Sequence, residues 1–317
     1  MKIVNLDGYT TNPGDLSWDW LGKYGEYKVY DRTTPEQIEE RAKDADILII
    51  NKSIITAQML EKLPNLKFVG LQSTGYNVID CKAARERNIT VSNIPAYSTT
   101  GVAQLVFAFI LQVADNVSLH SDAVHNGEWC ECPDFCFWKT PLTELDGKTI
   151  GIIGFGSIGR RVAQIANAFG MNVEVFTPHP KPAEYKNVNF VDFDTLLSDS
   201  DFITCHCPLT EKTENLIDKT AIDKMKKSAV VINTSRGPVV NDEDLADALN
   251  SGKIKAAGVD VLRVEPPEKE NPLLHAKNCY ITPHIAWAAY ETRARLLGIL
   301  EQNIKSYIDG NPINAVN

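Results

Sequence analysis

Three polar residues follow apolar, strand-like runs in the second half of the chain, and their types suit a reaction site. Arg236 follows AVVINT, Glu265 follows GVDV and His284 follows CYIT. A guanidinium binds two coplanar oxygens at once, and an imidazole exchanges protons near neutral pH. A carboxylate beside that imidazole favours its protonated form. Each residue alone also has an ordinary explanation as a loop or turn residue, so the prediction depends on their convergence.

A glycine-rich motif, GFGSIG, follows the apolar run TIGII and opens a helix-like run that Gly170 ends. Such a motif alone is weak evidence, but its place between strand and helix favours a dinucleotide site. There Gly154 permits a tight turn, Gly156 lets a pyrophosphate approach the backbone, and Gly159 lets helix and strand pack closely. The helix N-terminus supplies amide donors. We therefore predict a dinucleotide site whose loop also includes Phe155, Ser157 and Ile158.

The strand after this motif lacks the acid that commonly binds the adenosine ribose. Its run NVEVF is followed by Thr177, whereas Glu174 has roughly the expected spacing but lies inside the strand. Without a carboxylate there, the 2′-phosphate of NADP is not repelled. His179 or Lys181 could attract it, although neither offers an arginine fork. The sequence leaves both NAD and NADP open.

Two successive alternations of strand-like and helix-like runs must position these residues. The first contains the runs KIVNL, YKVYD, DILII, KFVGLQ and ITVSN, and the second contains KTIGII, NVEVF, FITCHC, AVVINT, AAGVDV and CYITP. Such alternation predicts parallel, helix-covered sheets. The carboxyl ends of parallel strands share one edge, so the polar trio and the glycine turn converge there. We predict an α/β protein with two doubly wound parallel-sheet domains.

Composition limits the classes of function. The 317 residues carry a formal net charge of −9 without a basic cluster, which argues against a nucleic-acid partner. The start MKIVNLDGYT becomes polar too soon for a signal peptide, and QLVFAFILQVA is too short to span a membrane. We expect a cytoplasmic protein without a membrane partner.

The chain has seven cysteines, an odd number without the density of a disulfide scaffold. Cys130, Cys132 and Cys136 lie close together, but their spacing is poor for zinc. In FITCHCPL the two sulfurs alternate with His206, a pattern that core packing explains. We expect reduced thiols and no metal.

Taken in order, the motifs resemble those of the D-isomer-specific 2-hydroxyacid dehydrogenases. They are GFGSIG, CPLTEKT, INTSRGPVV, GVDVLRVEPP and ITPHIAW, preceded by STGYNVID and NIPAYSTTGVAQ. The resemblance covers essentially the whole chain, and LDGYTTNPGDLSWD resembles the glycerate dehydrogenase (hydroxypyruvate reductase) branch. It implies an NAD(P)-dependent oxidoreductase acting on CH–OH groups, which reduces hydroxypyruvate and glyoxylate to D-glycerate and glycolate.

The resemblance also implies a role for each member of the polar trio. Arg236 bridges the carboxylate and the carbonyl of a 2-oxo acid, which orients the substrate and polarises the carbonyl. His284 gives a proton to the reduced oxygen, and Glu265 is its carboxylate partner.

Further contacts follow from the resemblance alone. The backbone amides of Thr74 and Gly75 hold the substrate carboxylate, with Lys52 also on the substrate. Trp138 has two interpretations: it packs beneath its own loop, or it reaches the active site of a second subunit. Asp260 contacts the nicotinamide amide, and the other implied cofactor contacts are His206, Pro208, Thr213, Thr234 and Ser235.

The resemblance implies a discontinuous substrate domain of flavodoxin-like fold, residues 1–98 and 288–317, with a Rossmann cofactor domain inserted at residues 99–287. It implies a homodimer formed through the cofactor domain, and the apolar helix from Val102 to Val113 suits that interface. D-lactate dehydrogenase or another 2-oxo acid reductase is the alternative enzyme. An NADH-sensing, corepressor-like binding protein is the alternative outside enzymes, against which the acidic composition argues.

Overall fold

The computed structural model describes residues 1–182 and 184–317. The chain divides into two compact units. The first unit consists of Met1–Ser98 and Trp287–Asn317, and the second unit is Thr99–Ala286. Because the first unit contains both termini, the second unit is an insertion within it.

The first unit contains a five-stranded parallel sheet in the order β2-β1-β3-β4-β5. This is the flavodoxin-like order. Its strands are β1 (Lys2–Asn5), β2 (Glu26–Val29), β3 (Ile47–Ile50), β4 (Phe68–Leu71) and β5 (Thr90–Ser92). Between them lie α1 (Gly8–Thr11), α2 (Ile38–Ala42), α3 (Ala57–Glu61), α4 (Cys81–Glu86) and the 3-10 helices Asp19–Lys23 and Pro35–Gln37. All five predicted strands form, and β3 and β4 are buried along their full length.

The second unit contains a seven-stranded parallel sheet in the order β12-β11-β10-β9-β6-β7-β8. Its strands are β6 (Thr149–Ile153), β7 (Asn172–Phe176), β8 (Asn189–Phe190), β9 (Phe202–Cys205), β10 (Val230–Asn233), β11 (Ala256–Val259) and β12 (Cys279–Ile281). The order reverses between β6 and β9, which is the switch point where dinucleotides bind. The predicted fold class is confirmed.

Helices cover both faces of this sheet. They are α5 (Thr99–Asp115), α6 (Val117–His125), α7 (Ser157–Ala168), α8 (Phe193–Asp199), α9 (Lys219–Lys224), α10 (Asp242–Ser251) and the 3-10 helices Gly237–Val239 and Pro272–His275. The sequence predicts one apolar helix over TGVAQLVFAFILQVADNV with a loop after it. In the structure α5 ends at Asp115, and a second helix, α6, follows Asn116, whose φ of 48° is left-handed. Asparagine tolerates this conformation better than most residues.

The apolar face of α5 packs inside the second unit. Phe109 lies against Gly258 of β11, where a Cβ atom would approach the Phe109 ring to 2.5 Å. Val102, Val106 and Val113 are buried with it. The face that we expected at a subunit interface is therefore occupied within the unit. No single helix of the described residues is long and apolar enough to cross a membrane; α5 and α6 together pass that test but are bent by 53°.

The last helix, α11 (Tyr290–Ile308), belongs to the first unit. Leu296, Leu300 and Ile304 recur every four residues and are buried against the sheet. Gly70 of β4 makes room for them, because a Cβ atom there would lie 2.7 Å from Leu300 Cδ1. This packing covers one face of the sheet.

Candidate active site

The glycine turn between β6 and α7 has a distinct geometry at each glycine. Gly154 has a φ of 93°, and a Cβ atom there would lie 2.8 Å from the His206 carbonyl. A Cβ atom on Gly159 would collide with the Gly154 carbonyl oxygen, whereas one on Gly156 would meet open space. Gly156 precedes the first residue of α7, whose first-turn N–H groups have no partner inside the helix. The turn therefore presents free amide donors beside open space.

The loop after β9 carries a neutral imidazole. His206 Nε2 lies 2.9 Å from Thr204 Oγ1, and burial lowers the pKa of His206 to about 3. Its Nδ1 atom is buried without a hydrogen-bond partner among the described residues. Farther along, Thr213 Oγ1 donates to the Pro208 carbonyl oxygen at 2.6 Å and closes the loop. A buried nitrogen without a partner indicates a group that the protein itself does not supply.

The loop after β10 is built around Asn233, a buried residue that sequence reasoning did not select. Asn233 Oδ1 accepts hydrogen bonds from Ser235 N at 3.0 Å and Ser235 Oγ at 2.8 Å. Asn233 Nδ2 donates to the Arg236 carbonyl oxygen at 2.9 Å. Thr234 Oγ1 is buried without a partner in the described part of the chain. The asparagine thus folds the loop back on itself directly before Arg236.

Arg236 is exposed, and its guanidinium donates to the Ser235 carbonyl oxygen at 2.7 Å. Within the described residues it forms no ion pair with an acid. The next residue, Gly237, lies so close to the Leu262 carbonyl that a side chain cannot fit. The loop is therefore fixed on both sides of a guanidinium that can bind an anion.

The loop after β12 is held by Asp260, which is 1% exposed and directly follows β11. Its carboxylate accepts hydrogen bonds from Thr282 Oγ1 at 2.6 Å, Ile285 N at 2.8 Å and Ala286 N at 2.9 Å. Its carbonyl oxygen accepts from His284 N at 2.9 Å. His284 has a φ of 54°, which is rare for a residue with a side chain. Asp260 thus determines the backbone position of His284.

The structure brings His284 and Glu265 together. His284 Nδ1 lies 2.6 Å from Glu265 Oε2, and Glu265 Oε1 accepts from Leu262 N at 3.1 Å. Both side chains are about one-third exposed, at 34% and 33%. With Nδ1 directed at the carboxylate, Nε2 is the nitrogen left to exchange a proton with a substrate. The pair can therefore act as an oriented acid and base.

The end of β7, which we predict to contact the adenosine ribose of the cofactor, carries no acidic residue. Thr177 directly follows β7 and is half-buried. Glu174 lies inside β7, opposite Gly151 of β6 and Asn189 of β8, where burial raises its pKa. Its Oε2 atom has no partner among the described residues. Glu174 therefore does not replace the missing acid at the strand end.

In the first unit, the turn after β4 presents two amide groups. Ser73 Oγ donates to the Gly75 carbonyl oxygen at 2.6 Å, and Thr74 Oγ1 donates to the Ile94 carbonyl oxygen at 2.7 Å. Asn93 Nδ2 donates to the Thr74 carbonyl oxygen at 2.7 Å. The amides of Thr74 and Gly75 donate to no group in the described chain. The turn is rigid and leaves two N–H groups for a ligand.

Comparison with known proteins gives a consistent result. The family model described as D-isomer specific 2-hydroxyacid dehydrogenase, NAD binding domain, matches residues 107–286. A hydroxypyruvate reductase of Blautia hydrogenotrophica is 49% identical over 321 aligned positions, which cover 100% of both chains. A glycerate dehydrogenase of Methylorubrum extorquens is 39% identical over 294 positions, or 92% of each chain. The solved structure of an acyclic imino acid reductase in complex with NADPH and D-Arg has a TM-score of 0.86 and 32% identity, covering 100% of both chains.

Proposed function

Because the chain belongs to the D-isomer-specific 2-hydroxyacid dehydrogenase family, we propose that it reduces hydroxypyruvate to D-glycerate, and glyoxylate to glycolate. It is an NAD(P)-dependent oxidoreductase acting on CH–OH groups. The observation that carries the substrate proposal is the 2.6 Å pair of His284 and Glu265, held in the same unit as the exposed Arg236 guanidinium. A 2-oxo acid needs both an anion anchor and a proton donor.

The second unit fits the cofactor at three places. The open space at Gly156 admits a pyrophosphate to the amide donors of α7. His206 Nδ1 and Thr234 Oγ1 have no partner among the described residues and offer polar contacts on the loops after β9 and β10. The bound nicotinamide supplies the hydride. The remaining chemistry belongs to the protein side chains.

The guanidinium of one arginine, the amides of one turn and the ammonium of one lysine bind the substrate in this proposal. The Arg236 guanidinium bridges a carboxylate oxygen and the carbonyl oxygen, which fixes the plane of the 2-oxo acid and stabilises the charge that develops on the carbonyl. The free amides of Thr74 and Gly75 donate to the substrate carboxylate. The Lys52 ammonium adds a positive charge for the same anion.

His284 completes the reaction by protonating the former carbonyl oxygen from Nε2. The Glu265 carboxylate stabilises the imidazolium before the transfer and keeps the ring oriented through Nδ1. In the oxidation direction the neutral imidazole accepts the hydroxyl proton. The same pair therefore serves both directions.

A substrate panel tests this function. NADH and NADPH oxidation is followed side by side with hydroxypyruvate, glyoxylate, pyruvate and phosphohydroxypyruvate. We expect the highest kcat/KM with hydroxypyruvate and a lower one with glyoxylate. A preference for pyruvate would assign a D-lactate dehydrogenase instead, and NADH binding without turnover would assign a binding protein.

Cofactor preference is tested at Thr177. Since no acid repels the 2′-phosphate, the natural protein should use NADH and NADPH with weak discrimination. Thr177→Asp places a carboxylate there and should shift the kcat/KM ratio toward NADH by about tenfold or more. The uncharged variant Thr177→Asn is the control. A natural protein that already excludes NADPH by several orders of magnitude would contradict this interpretation.

We also propose a homodimer formed through the second unit. Much of the exposed apolar surface of that unit lies on α6 and on the loop that follows it, and α5 contributes none of the large exposed apolar side chains. Phe135 is 89% exposed and Trp138 is 66% exposed, and Trp129 and Leu142 are exposed near them in sequence. Apolar area of this kind is typical of a protein interface. A cytoplasmic location is also proposed, for which the seven free thiols are suited to a reducing compartment.

Trp138 tests whether this surface contributes to catalysis. Its 66% exposure does not fit packing beneath its own loop, so a role toward a second copy is the interpretation that we propose. Trp138→Ala should change KM or the order of substrates while the melting temperature stays within a few degrees of the natural value. Phe135→Ala, which removes a neighbouring exposed ring, is the matched control. Unchanged kinetics in a folded dimer would leave Trp138 without a substrate role.

A further inference from the structure

Asp7 is a buried carboxylate that holds a neighbouring loop through backbone amides. It lies two residues beyond the end of β1 and is 7% exposed. Its Oδ2 atom accepts hydrogen bonds from Asn51 N at 2.8 Å, Lys52 N at 3.1 Å and Ser53 N at 3.0 Å. Its Oδ1 atom accepts from Ser53 Oγ at 2.9 Å. One carboxylate thus fixes three consecutive residues of the loop after β3.

This arrangement has no cationic partner. Within the described residues Asp7 forms no ion pair, and the groups in contact with its carboxylate are N–H and O–H donors. A buried charge is costly unless it is fully hydrogen-bonded. Hydrogen bonds to an ionised acceptor are also about twice as strong as neutral ones. The backbone from Asn51 to Ser53 is therefore held more firmly than a neutral side chain would hold it.

The same network joins a third strand end. Asn5, the last residue of β1, accepts hydrogen bonds at Oδ1 from Asp7 N at 3.0 Å and Gln72 Nε2 at 3.0 Å. Gln72 follows β4 and precedes the turn that carries Thr74 and Gly75. The ends of β1, β3 and β4 are thereby locked together at the carboxyl edge of the sheet. In open α/β sheets this is the edge at which ligands bind.

Lys52 is the member of the held loop that can reach a ligand. Its backbone amide is bound to Asp7, its neighbours Asn51 and Ser53 are buried, and its own side chain is exposed. No acid forms an ion pair with its ammonium in the described part of the chain. The side chain therefore projects from an anchored backbone and keeps its charge available for an anion.

We propose that Asp7 is a positioning residue for substrate binding, which fixes the loop from Asn51 to Ser53 so that the Lys52 ammonium meets the substrate carboxylate with little reorganisation. This inference rests on the proposed reduction of a 2-oxo acid. Asp7 does not touch the substrate; it acts through Lys52. Preorganisation of this kind lowers the entropy that the protein loses when it binds the anion.

Asp7→Asn tests the inference with steady-state kinetics in hydroxypyruvate and in NADH. The amide of the variant keeps the shape but loses the charge and one acceptor, so kcat/KM for hydroxypyruvate should fall by about 10- to 100-fold, mainly through KM. KM for NADH should stay unchanged. Ser53→Ala removes only the hydroxyl contact and should cause a smaller change of the same kind. Asp46→Asn is the matched control, because Asp46 accepts from Lys2 N at the opposite edge of the same sheet.

A double-mutant cycle distinguishes positioning from a purely structural role. If Asp7 acts through Lys52, Asp7→Asn should cause little further loss in a Lys52→Ala background. The same fold loss in both backgrounds, an equal rise in KM for NADH, or natural kinetics in a folded Asp7→Asn would overturn the inference. If Asp7→Asn does not fold, the same double-mutant cycle is measured with Ser53→Ala in place of Asp7→Asn, and the same outcomes support or overturn the inference. Failure of the proposed function is seen separately, because the natural protein would then reduce no 2-oxo acid.

Discussion

Replacing Arg236 with alanine should lower kcat/KM for hydroxypyruvate by about 10²- to 10³-fold or more, the cost of losing a donor to a developing oxyanion together with the anion anchor. The loop that presents this side chain is fixed by Asn233 on one side and by the close contact of Gly237 on the other. The variant should therefore keep its fold. KM for NADH should change little.

Arg236→Lys should recover little of this loss, because an ammonium is a point charge and cannot bridge two coplanar oxygens. Arg263→Ala is a suitable control: that guanidinium lies 3.2 Å from Glu214 and is engaged in an ion pair. Steady-state kinetics of the three variants make the comparison. Natural activity in Arg236→Lys would show that charge alone is needed and that the bridging geometry is wrong.

His284→Ala should lower kcat by about 10²- to 10⁴-fold, the usual contribution of general acid catalysis. The substitution removes the proposed proton donor, while the glycine turn and the loops after β9 and β10 should keep their contacts. NADH binding, followed by fluorescence titration, should therefore remain close to natural. His275→Ala, which changes another exposed imidazole of the same unit, should leave kcat unchanged. A loss of NADH binding equal to the loss of kcat would argue against a proton-transfer role.

Much of the fold is predictable because long apolar runs determine it. The runs of β3 and β4 are buried along their full length, so their composition alone indicates parallel, helix-covered strands. The strand β8 escapes prediction because it contains only Asn189–Phe190, too short for any periodicity. The helix α6 also escapes prediction, since Ala123 is its only buried residue.

Parts of the candidate site are predictable where a motif has suitable residue types directly after a predicted strand. In the glycine turn, Gly154 has the positive φ of a tight turn, Gly159 is closely packed and Gly156 faces open space, as the motif predicts. The imidazole of His284 and the carboxylate of Glu265, which we expected to be partners, lie 2.6 Å apart. Asn233 and Asp7 were missed because an isolated asparagine or aspartate after a strand has the appearance of an ordinary turn residue. The partners of Asp7 lie 44 to 46 residues away, a separation that no local pattern reveals.

Asp260 has a structural task besides the cofactor contact predicted for it. The resemblance assigns it a contact with the nicotinamide amide. In the structure its carboxylate already accepts three hydrogen bonds from the loop that carries His284. Sequence reasoning could not find this task, since the donors belong to a loop beyond the next strand. The nicotinamide contact stays a prediction.

The pH dependence of hydroxypyruvate reduction in the natural protein and in His284→Ala tests the central claim most directly. In the proposed mechanism reduction consumes a proton that His284 donates, so kcat of the natural protein should fall as the pH rises. In His284→Ala the residual kcat should not show that fall. With the chemical step shown to limit turnover, an identical pH profile in both proteins would contradict the assignment of His284 as the proton donor and the mechanism built on it.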